Sequence, residues 1–218
     1  MSNNRLTDTA PNGLAAPELA DVQVHGMTRS SFILRGALAA GAVYGVSGVT
    51  PFVSQALAAS GGGDVEILNF ALTLEYLESD FYNVKGKTVG LSGQAKSYAT
   101  LFGEQEQDHV QALTTVIKQL GGTPVKKPTF VFPAMSQSSF LAFASVLENT
   151  GVGAYNGAAP SLQSKTVLAA AGSIVQIEAR HAAAINLLIG QRPTPNGGFD
   201  VPLTKAEVLA KAGPLIKA

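Results

Sequence analysis

The sequence predicts an all-α protein built around a four-helix bundle with a long connection between helices 2 and 3. Three observations lead to this prediction. Apolar residues recur at helical spacing in four segments, and the connections between these segments are short, long and short. Polar residues inside the apolar stripes also repeat between the two halves of the chain. At 218 residues the chain is long enough to bury a core of its own.

Residues 1–58 are expected to form an export signal and a flexible lead. A polar stretch precedes Arg29, and an apolar run rich in Ala, Gly and Val follows it. Residues 56–58 (Ala-Leu-Ala) have the small-x-small form of a signal-peptidase site. The lead resembles a degenerate twin-arginine signal, because Ser30 stands where the second arginine would be. We therefore expect a periplasmic or extracellular location; an uncleaved anchor and an unprocessed tail are the alternatives.

A Gly-rich linker at residues 59–63 leads into the bundle, which is predicted over residues 64–190. Asp64 is the predicted N-cap of the first helix, and Gly86 is its predicted end. Ser92 is the predicted cap of the second helix, and Pro160 stands at the entrance of the fourth. The predicted helices span residues 64–84, 93–120, 137–158 and 161–189.

The connection over residues 121–136 contains three prolines among extended-type residues. A helix of about 30 residues is about 45 Å long, and a segment of this length reaches about 50 Å when extended. The connection is thus long enough to return along the bundle. Three glycines lower the helix propensity of the third helix. The tail, residues 191–218, is predicted to contain one short helix capped by Thr204.

Composition excludes several classes of function. The sequence has no cysteine, which excludes a disulfide framework, a thiolate metal site and a cysteine nucleophile. The net charge is zero and no basic run is present, so nucleic acid is not an expected partner. The apolar run of the lead is weakly hydrophobic and contains Pro51, so no stable membrane span is expected. Any metal site must use oxygen and nitrogen ligands.

Two histidines in the predicted bundle each follow a glutamate by three residues. The pairs are Glu106 with His109 and Glu178 with His181. Residues three apart lie on the same face of a helix, so one metal ion can contact both side chains. Glutamate oxygen with neutral imidazole suits iron, manganese or zinc. The alternative is a pair of polar residues on the helix surface.

The other two helices each place a glutamate inside an apolar stripe, Glu75 and Glu148. A buried carboxylate without a partner costs several kcal/mol, and a metal ion is the strongest partner available. Each glutamate is followed seven residues later by a tyrosine, Tyr82 or Tyr155, which we place beside the ligands or simply in the core. Glu78 competes with Glu75 on the same helix, and we assign it to solvent or to a position behind the ligands.

These features repeat along the chain in the same order and at an almost constant separation. The repeat pairs Glu75, Tyr82, Glu106 and His109 of the first half with Glu148, Tyr155, Glu178 and His181 of the second. Two helix pairs related by a pseudo-twofold axis would bring four carboxylates and two imidazoles together in the core. One glutamate from each of two helices, with Glu-x-x-His from each of the other two, is the ligand pattern of dinuclear carboxylate bundles.

With these motifs the chain resembles the ferritin-like superfamily, and within it exported bacterial proteins related to plant desiccation-related proteins. The likeness covers about residues 64–190 and includes the first helix, where residues 68–78 read LNFALTLEYLE. The resemblance implies two iron or manganese ions, with zinc as a further candidate. It also implies a ligand set for each ion, with Glu106 and Glu178 bridging: Glu75, Glu106 and His109 for one, and Glu148, Glu178 and His181 for the other.

The chain departs from this pattern at one pair of positions. Many dinuclear members place a carboxylate just before the glutamate of each Glu-x-x-His motif, where it can orient a histidine. Gln105 and Ile177 occupy these positions here. Glutamine can still form a hydrogen bond and isoleucine cannot, so we expect ligand orientation and metal affinity to be affected.

Three functional hypotheses follow. The first is a di-iron or di-manganese centre that reacts with oxygen or peroxide, as a ferroxidase or peroxidase-like enzyme in stress protection, with metal ions and small oxidants as partners. The second is a non-enzymatic metal-binding or desiccation-related structural bundle. The third is a binding module whose metal site has decayed, which the presence of all six ligand candidates argues against. A homo-oligomer is left open, and a closed iron-storage cage is disfavoured.

Overall fold

The structure, a computed structural model, describes residues 62–217 and two short strands, β1 (Gln23–Val24) and β2 (Met27–Thr28). β1 and β2 pair antiparallel, with Val24 opposite Met27. The rest of the predicted export signal and residues 59–61 of the predicted linker lie outside the described residues and remain predictions. Gly62 and Gly63, which were assigned to the linker, instead begin the first helix. Among the helices that are described, none combines the length and apolarity needed to cross a membrane.

Four long helices form the bundle, which confirms the predicted fold class. They are α1 (Gly62–Asp80), α2 (Gly93–Gln119), α3 (Gln137–Ala158) and α4 (Lys165–Leu188). α1 packs chiefly on α2, and α3 packs chiefly on α4. The apolar faces meet in one core, where the rings of Phe81 and Phe140 stack with their centroids 4.3 Å apart.

The end of α1 differs from the prediction. The helix does not stop at Gly86 but widens into a π-helical segment, Phe81–Lys85, and closes with one α-helical turn, Gly86–Thr88. The chain turns only at Gly90, where φ is 72° and glycine is favoured. Gly86 serves packing instead, because a Cβ there would lie 3.4 Å from Cζ of Phe140.

Asp64 does not cap α1, contrary to the prediction, because α1 begins two residues earlier at Gly62. Its fully buried carboxylate accepts hydrogen bonds from the backbone N–H groups of Gln163 at 2.8 Å and Ser164 at 2.9 Å. These two N–H groups precede α4 and have no partner within that helix. Asp64 therefore ties the start of α1 to the start of α4.

The matching contact in the other half of the bundle uses Gln137, the residue that the repeat pairs with Asp64. The Oε1 of Gln137, at the start of α3, accepts a hydrogen bond from the backbone N–H of Ser92 at 2.8 Å. Ser92 is the N-cap residue of α2, as predicted, but its hydroxyl does not cap the helix. The repeat thus extends from the ligand positions to the starts of the helices.

The start of α4 is four residues later than predicted. Pro160 lies in a separate 3₁₀ turn, Ala159–Ser161, and the chain then becomes extended at Leu162. The helix begins after Ser164, whose hydroxyl accepts a hydrogen bond from the backbone N–H of Val167 at 3.2 Å. A proline at a helix entrance predicted the position only approximately, because a 3₁₀ turn accommodates it equally well.

Two of the glycines in α3 allow the C-terminal tail to approach closely. A Cβ on Gly157 would lie 1.9 Å from the backbone oxygen of Leu203, and a Cβ on Gly153 would lie 2.6 Å from its Cγ. The backbone N–H of Leu203 donates to the carbonyl of Gly153 at 2.8 Å. Glycine lowers helix propensity at these positions, but any other residue would push the tail away.

The tail continues into the predicted short helix, α5 (Lys205–Ala212). Thr204 caps it, as predicted, and also forms a capping box with Glu207. α5 packs on α3 and buries Val208 fully. After α5, β4 (Ile216–Lys217) pairs antiparallel with β3 (Thr129–Phe130) in the long connection, a contact that the sequence did not predict.

Candidate metal centre

The six predicted ligands come together in the middle of the bundle. All four glutamates are 0% exposed, and the two histidines are 8% and 2% exposed. Each helix contributes because its apolar stripe continues on both sides of the ligand position, which carries the polar side chain into the core. The contributions are Glu75 from α1, Glu106 and His109 from α2, Glu148 from α3, and Glu178 and His181 from α4.

The ligand atoms form two groups that share two glutamates. In each group, one oxygen or nitrogen atom from every residue lies within 4.8 Å of the others. The His109 subsite consists of Glu75, Glu106, His109 and Glu178, and the His181 subsite consists of Glu106, Glu148, Glu178 and His181. Glu106 and Glu178 belong to both groups, as their predicted bridging role requires.

Each histidine directs its Nδ1 at the carboxylates. The Nδ1 of His109 lies 2.9 Å from Glu178, 3.1 Å from Glu106 and 3.2 Å from Glu75. A single N–H group cannot satisfy three carboxylates. The Nδ1 of His181 lies 2.9 Å from Glu106 and 3.4 Å from Glu148. Both nitrogens therefore face a space that is surrounded by oxygen atoms.

Several of these atoms are close to one another but lack hydrogen-bond geometry with any described residue. They are Oε1 of Glu106, Oε2 of Glu148, both carboxylate oxygens of Glu178 and Nδ1 of His181. Leaving a buried polar atom without a partner costs about 1–3 kcal/mol. The residues that carry these atoms belong to the two ligand groups, and carboxylate oxygen with imidazole nitrogen suits iron, manganese or zinc. The residues thus fit a pair of such ions.

Without metal, protons must balance the charge of the cluster. Burial raises the pKa of Glu75 to about 7 despite the nearby His109, and burial with neighbouring carboxylates raises that of Glu178. Burial also acts on Glu106, but the two imidazoles outweigh it and hold its pKa well below the usual range. Burial by itself would lower the pKa values of the two imidazoles, but the neighbouring carboxylates outweigh this effect. They raise the pKa of His181 to about 10 and that of His109 well above its ordinary value.

The two tyrosines cross between the halves. The hydroxyl of Tyr82 donates a hydrogen bond to Glu148, and the hydroxyl of Tyr155 donates to Glu75. Each tyrosine therefore contacts the glutamate of the other half, not the glutamate on its own helix. The seven-residue spacing left two positions open for the tyrosines, beside the ligands or simply in the core, and the hydrogen bonds place them beside the candidate ligands. The spacing could not predict the exchange, because spacing reports only which residues share a helix face.

Comparison with known families agrees with this geometry. Residues 63–191, more than half of the chain, match the model of the ferritin-like domain. The chain belongs to the ferritin-like domain family. The resemblance to the ferritin-like superfamily is thereby confirmed, whereas the narrower link to desiccation-related proteins stays a prediction. No curated protein matches the sequence.

This ferritin-like chain has a fifth carboxylate at the centre, Glu78. It is only 3% exposed, and burial together with the charges of the neighbouring glutamates raises its pKa well above the ordinary value. Gly151 occupies the matching position in the second half, and a Cβ there would lie 3.3 Å from Oε1 of Glu78. The sequence predicts Glu78 in solvent or behind the ligands, and its burial excludes the position in solvent. Extending the repeat by one helical turn would have exposed the Glu–Gly mismatch.

The two imidazoles also differ in the surroundings of Nε2, the ring nitrogen that faces away from the carboxylates. The Nε2 of His181 lies 2.7 Å from Oε1 of Gln105 and donates a hydrogen bond to it. The ring of His181 also stacks on Phe102, with the centroids 4.0 Å apart. Ile177, which the repeat pairs with Gln105, has no polar side-chain atom, and no described residue accepts a hydrogen bond from Nε2 of His109.

Access to the centre of this ferritin-like domain is uneven as well. Tyr82 borders a cavity of about 440 Å³ whose lining includes Asn83, Lys96 and Glu104. Tyr155 borders a pocket of about 20 Å³ that is lined mainly by apolar residues of α1 and α3. The larger of these two cavities is therefore on the side of the His181 subsite, because Tyr82 contacts Glu148.

Proposed function

We propose that the protein binds two iron or manganese ions in this centre and reacts with oxygen or peroxide, as a ferroxidase or a peroxidase-like enzyme. The observation that carries the proposal is the convergence of six buried side chains into two ligand groups that share Glu106 and Glu178. A single acidic cluster would not support it. A dinuclear metal site requires two ligand groups that have a pair of carboxylates in common.

Charge balance supports the same proposal. Four ligand carboxylates offset the charge of two divalent cations when both imidazoles are neutral. The raised pKa values of His109 and His181 mean that the metal-free cluster holds protons that two cations would displace. Iron or manganese held by these six residues would be oxidised as it gives electrons to a small oxidant.

The protein residues would prepare the centre for this chemistry. Tyr82 and Tyr155 fix the orientation of Glu148 and Glu75 through their hydroxyl groups. The buried ligands keep bulk water and large substrates away, while the cavity beside Tyr82 provides room for a small molecule. No separate acid–base residue is needed for this assignment. The predicted export signal leads us to propose that the protein works outside the cytoplasm.

A non-enzymatic metal-binding or stress-protective role is the second candidate. It is favoured by the enclosure of the centre, because even the more exposed ligand, His109, is only 8% exposed. A centre so deeply buried restricts the exchange of ions and oxidants. The two candidates share the same ligands and differ in whether the loaded centre consumes an oxidant.

The test is to remove all metal, add Fe(II) without oxygen, count the ions per chain, and then admit oxygen to one sample and hydrogen peroxide to another. Two ions per chain with oxygen uptake is the expected result. Two ions without uptake of oxygen or peroxide would favour the non-enzymatic role, and a folded protein that binds no metal would contradict both. Asp108→Asn is the control for variants of the ligand carboxylates, because Asp108 is an exposed carboxylate beside His109 on α2. This variant should keep the ion count and the oxygen uptake of the wild type.

A further inference from the structure

The two Glu-x-x-His motifs are preceded by different residues in positions that the repeat makes equivalent. Gln105 and Ile177 each lie directly before the glutamate of their motif, and both are half-buried. Gln105, on α2, reaches across to His181 on α4. The ligand sets of the two subsites are therefore alike, but among the described residues only His181 forms a hydrogen bond through the ring nitrogen that faces away from the carboxylates.

We propose that Gln105 is a positioning residue that makes the His181 subsite the tighter of the two, so that this subsite fills first and the His109 subsite fills second. This inference rests on the proposed dinuclear centre. It adds the order in which the two subsites bind metal. It attributes that order to the hydrogen bond between His181 and Gln105, which has no counterpart at His109 among the described residues.

The hydrogen bond acts by selecting the state of the imidazole. Gln105 Oε1 can only accept at this contact, so the proton of neutral His181 must be on Nε2, 2.7 Å away. The lone pair is then on Nδ1, which faces Glu106 and Glu148. A ligand that already has the correct tautomer and orientation loses less free energy when it binds a metal ion.

Stacking strengthens the same asymmetry. The ring of His181 lies on that of Phe102, with the centroids 4.0 Å apart. The repeat pairs Phe102 with Ile174, which offers no aromatic face. His181 is therefore held by a hydrogen bond and by a ring, and it is 2% exposed, against 8% for His109.

Among the described residues, the polar partners of the His109 ring lie only on the side of the carboxylates. Its Nδ1 contacts the carboxylates, but its Nε2 has no acceptor among the described residues. Metal binding at the His109 subsite must therefore select both the tautomer and the ring orientation. Loss of an outer hydrogen bond to a metal-binding histidine weakens metal affinity by about 10- to 100-fold. We expect a difference of about tenfold or more between the two dissociation constants.

Co(II) added to the metal-free protein is the probe, with visible absorption and calorimetry as the readouts. The wild type should bind two ions in two resolved steps. His109→Ala should keep the tighter step, and His181→Ala should keep the weaker one. If His181→Ala kept the tighter step instead, the proposed order of loading would be wrong.

Exchanging the outer residues tests the cause. Gln105→Leu should weaken the tighter step by about 10- to 100-fold, whereas Gln105→Glu, which keeps an acceptor, should restore it. Ile177→Gln should strengthen the weaker step, a gain that a general packing defect cannot produce. Circular dichroism checks that each variant is folded.

The outcomes separate this inference from the proposed function. A wild type that binds no Co(II) would overturn both. Two ions bound with equal affinity, or two steps that are unchanged in Gln105→Leu and Ile177→Gln, would overturn the unequal subsites and leave the dinuclear centre standing.

Discussion

The α1–α2 half and the α3–α4 half contribute the same ligands but surround them differently. Each half supplies one glutamate, one Glu-x-x-His motif and one tyrosine, in the same order along the chain. The surroundings break this symmetry at Glu78, which faces Gly151, and at Gln105, which corresponds to Ile177. In the proposed dinuclear centre, two ions would constrain the ligand types equally in both halves, whereas they would leave the residues behind the ligands free to differ.

The largest expected effect separates shared ligands from unshared ones. Glu106→Ala should remove both ions, because Glu106 belongs to both subsites. His109→Ala should remove only one, because His109 belongs to one subsite. Elemental analysis of the reconstituted variants gives the ion count. Equal losses in the two variants would contradict the shared-ligand arrangement.

The helix starts offer a second comparison between the halves. Asp64→Ala should lower the free energy of unfolding by about 2–4 kcal/mol, because it leaves two N–H groups without their acceptor. Gln137→Ala, the matched change in the other half, should cost about 1 kcal/mol or less, because its contact with Ser92 is exposed to solvent. Urea unfolding of both variants measures the difference, and similar losses would show that the buried Asp64 contact is not special.

The sequence predicted which six candidate ligands come together better than it predicted their surroundings. Glu75 and Glu148 were recognisable because carboxylates inside an apolar stripe conflict with burial, and the repeat paired them. The prediction that the first helix ends at Gly86 was wrong, because the sequence does not distinguish a glycine needed for close packing from one that ends a helix. Asp64 was assigned to the nearest helix start, but its true partners, the N–H groups before α4, are distant in sequence and close only in the folded bundle.

The pH dependence of the metal-free protein tests the charge balance. Glu75 has its pKa raised from 4.5 to about 7, so its contribution to stability is full below pH 4.5 and is lost as the pH rises towards 7. His181 has its pKa raised from 6.5 to about 10, so its contribution is lost between those values. We expect the Tm of the metal-free protein to fall by about 5 °C or more between pH 5 and pH 9.

Metal should reverse this trend, because binding requires deprotonated ligands and becomes tighter as the pH rises. Calorimetric scans of metal-free and metal-loaded protein across this pH range provide the comparison. A metal-free Tm that rises with pH would contradict the assigned directions of the Glu75 and His181 shifts.

The smallest expected effect concerns the fifth carboxylate. Glu78→Gln should stabilise the metal-free protein by about 1 kcal/mol, because it removes a buried group that neighbouring carboxylates oppose. Glu104→Gln is the control, because Glu104 is an exposed carboxylate on α2 and its change should leave the free energy of unfolding within about 0.5 kcal/mol. Destabilisation by Glu78→Gln would show that Glu78 has a favourable partner in the folded protein.

The dinuclear centre is tested most directly by a crystal structure of the metal-loaded protein, with anomalous scattering used to locate the ions. The account predicts two peaks in the core, one about 2 Å from Nδ1 of His109 and one about 2 Å from Nδ1 of His181. Glu106 and Glu178 should contact both peaks. A single peak, or peaks bound by residues outside the two subsites, would contradict the account.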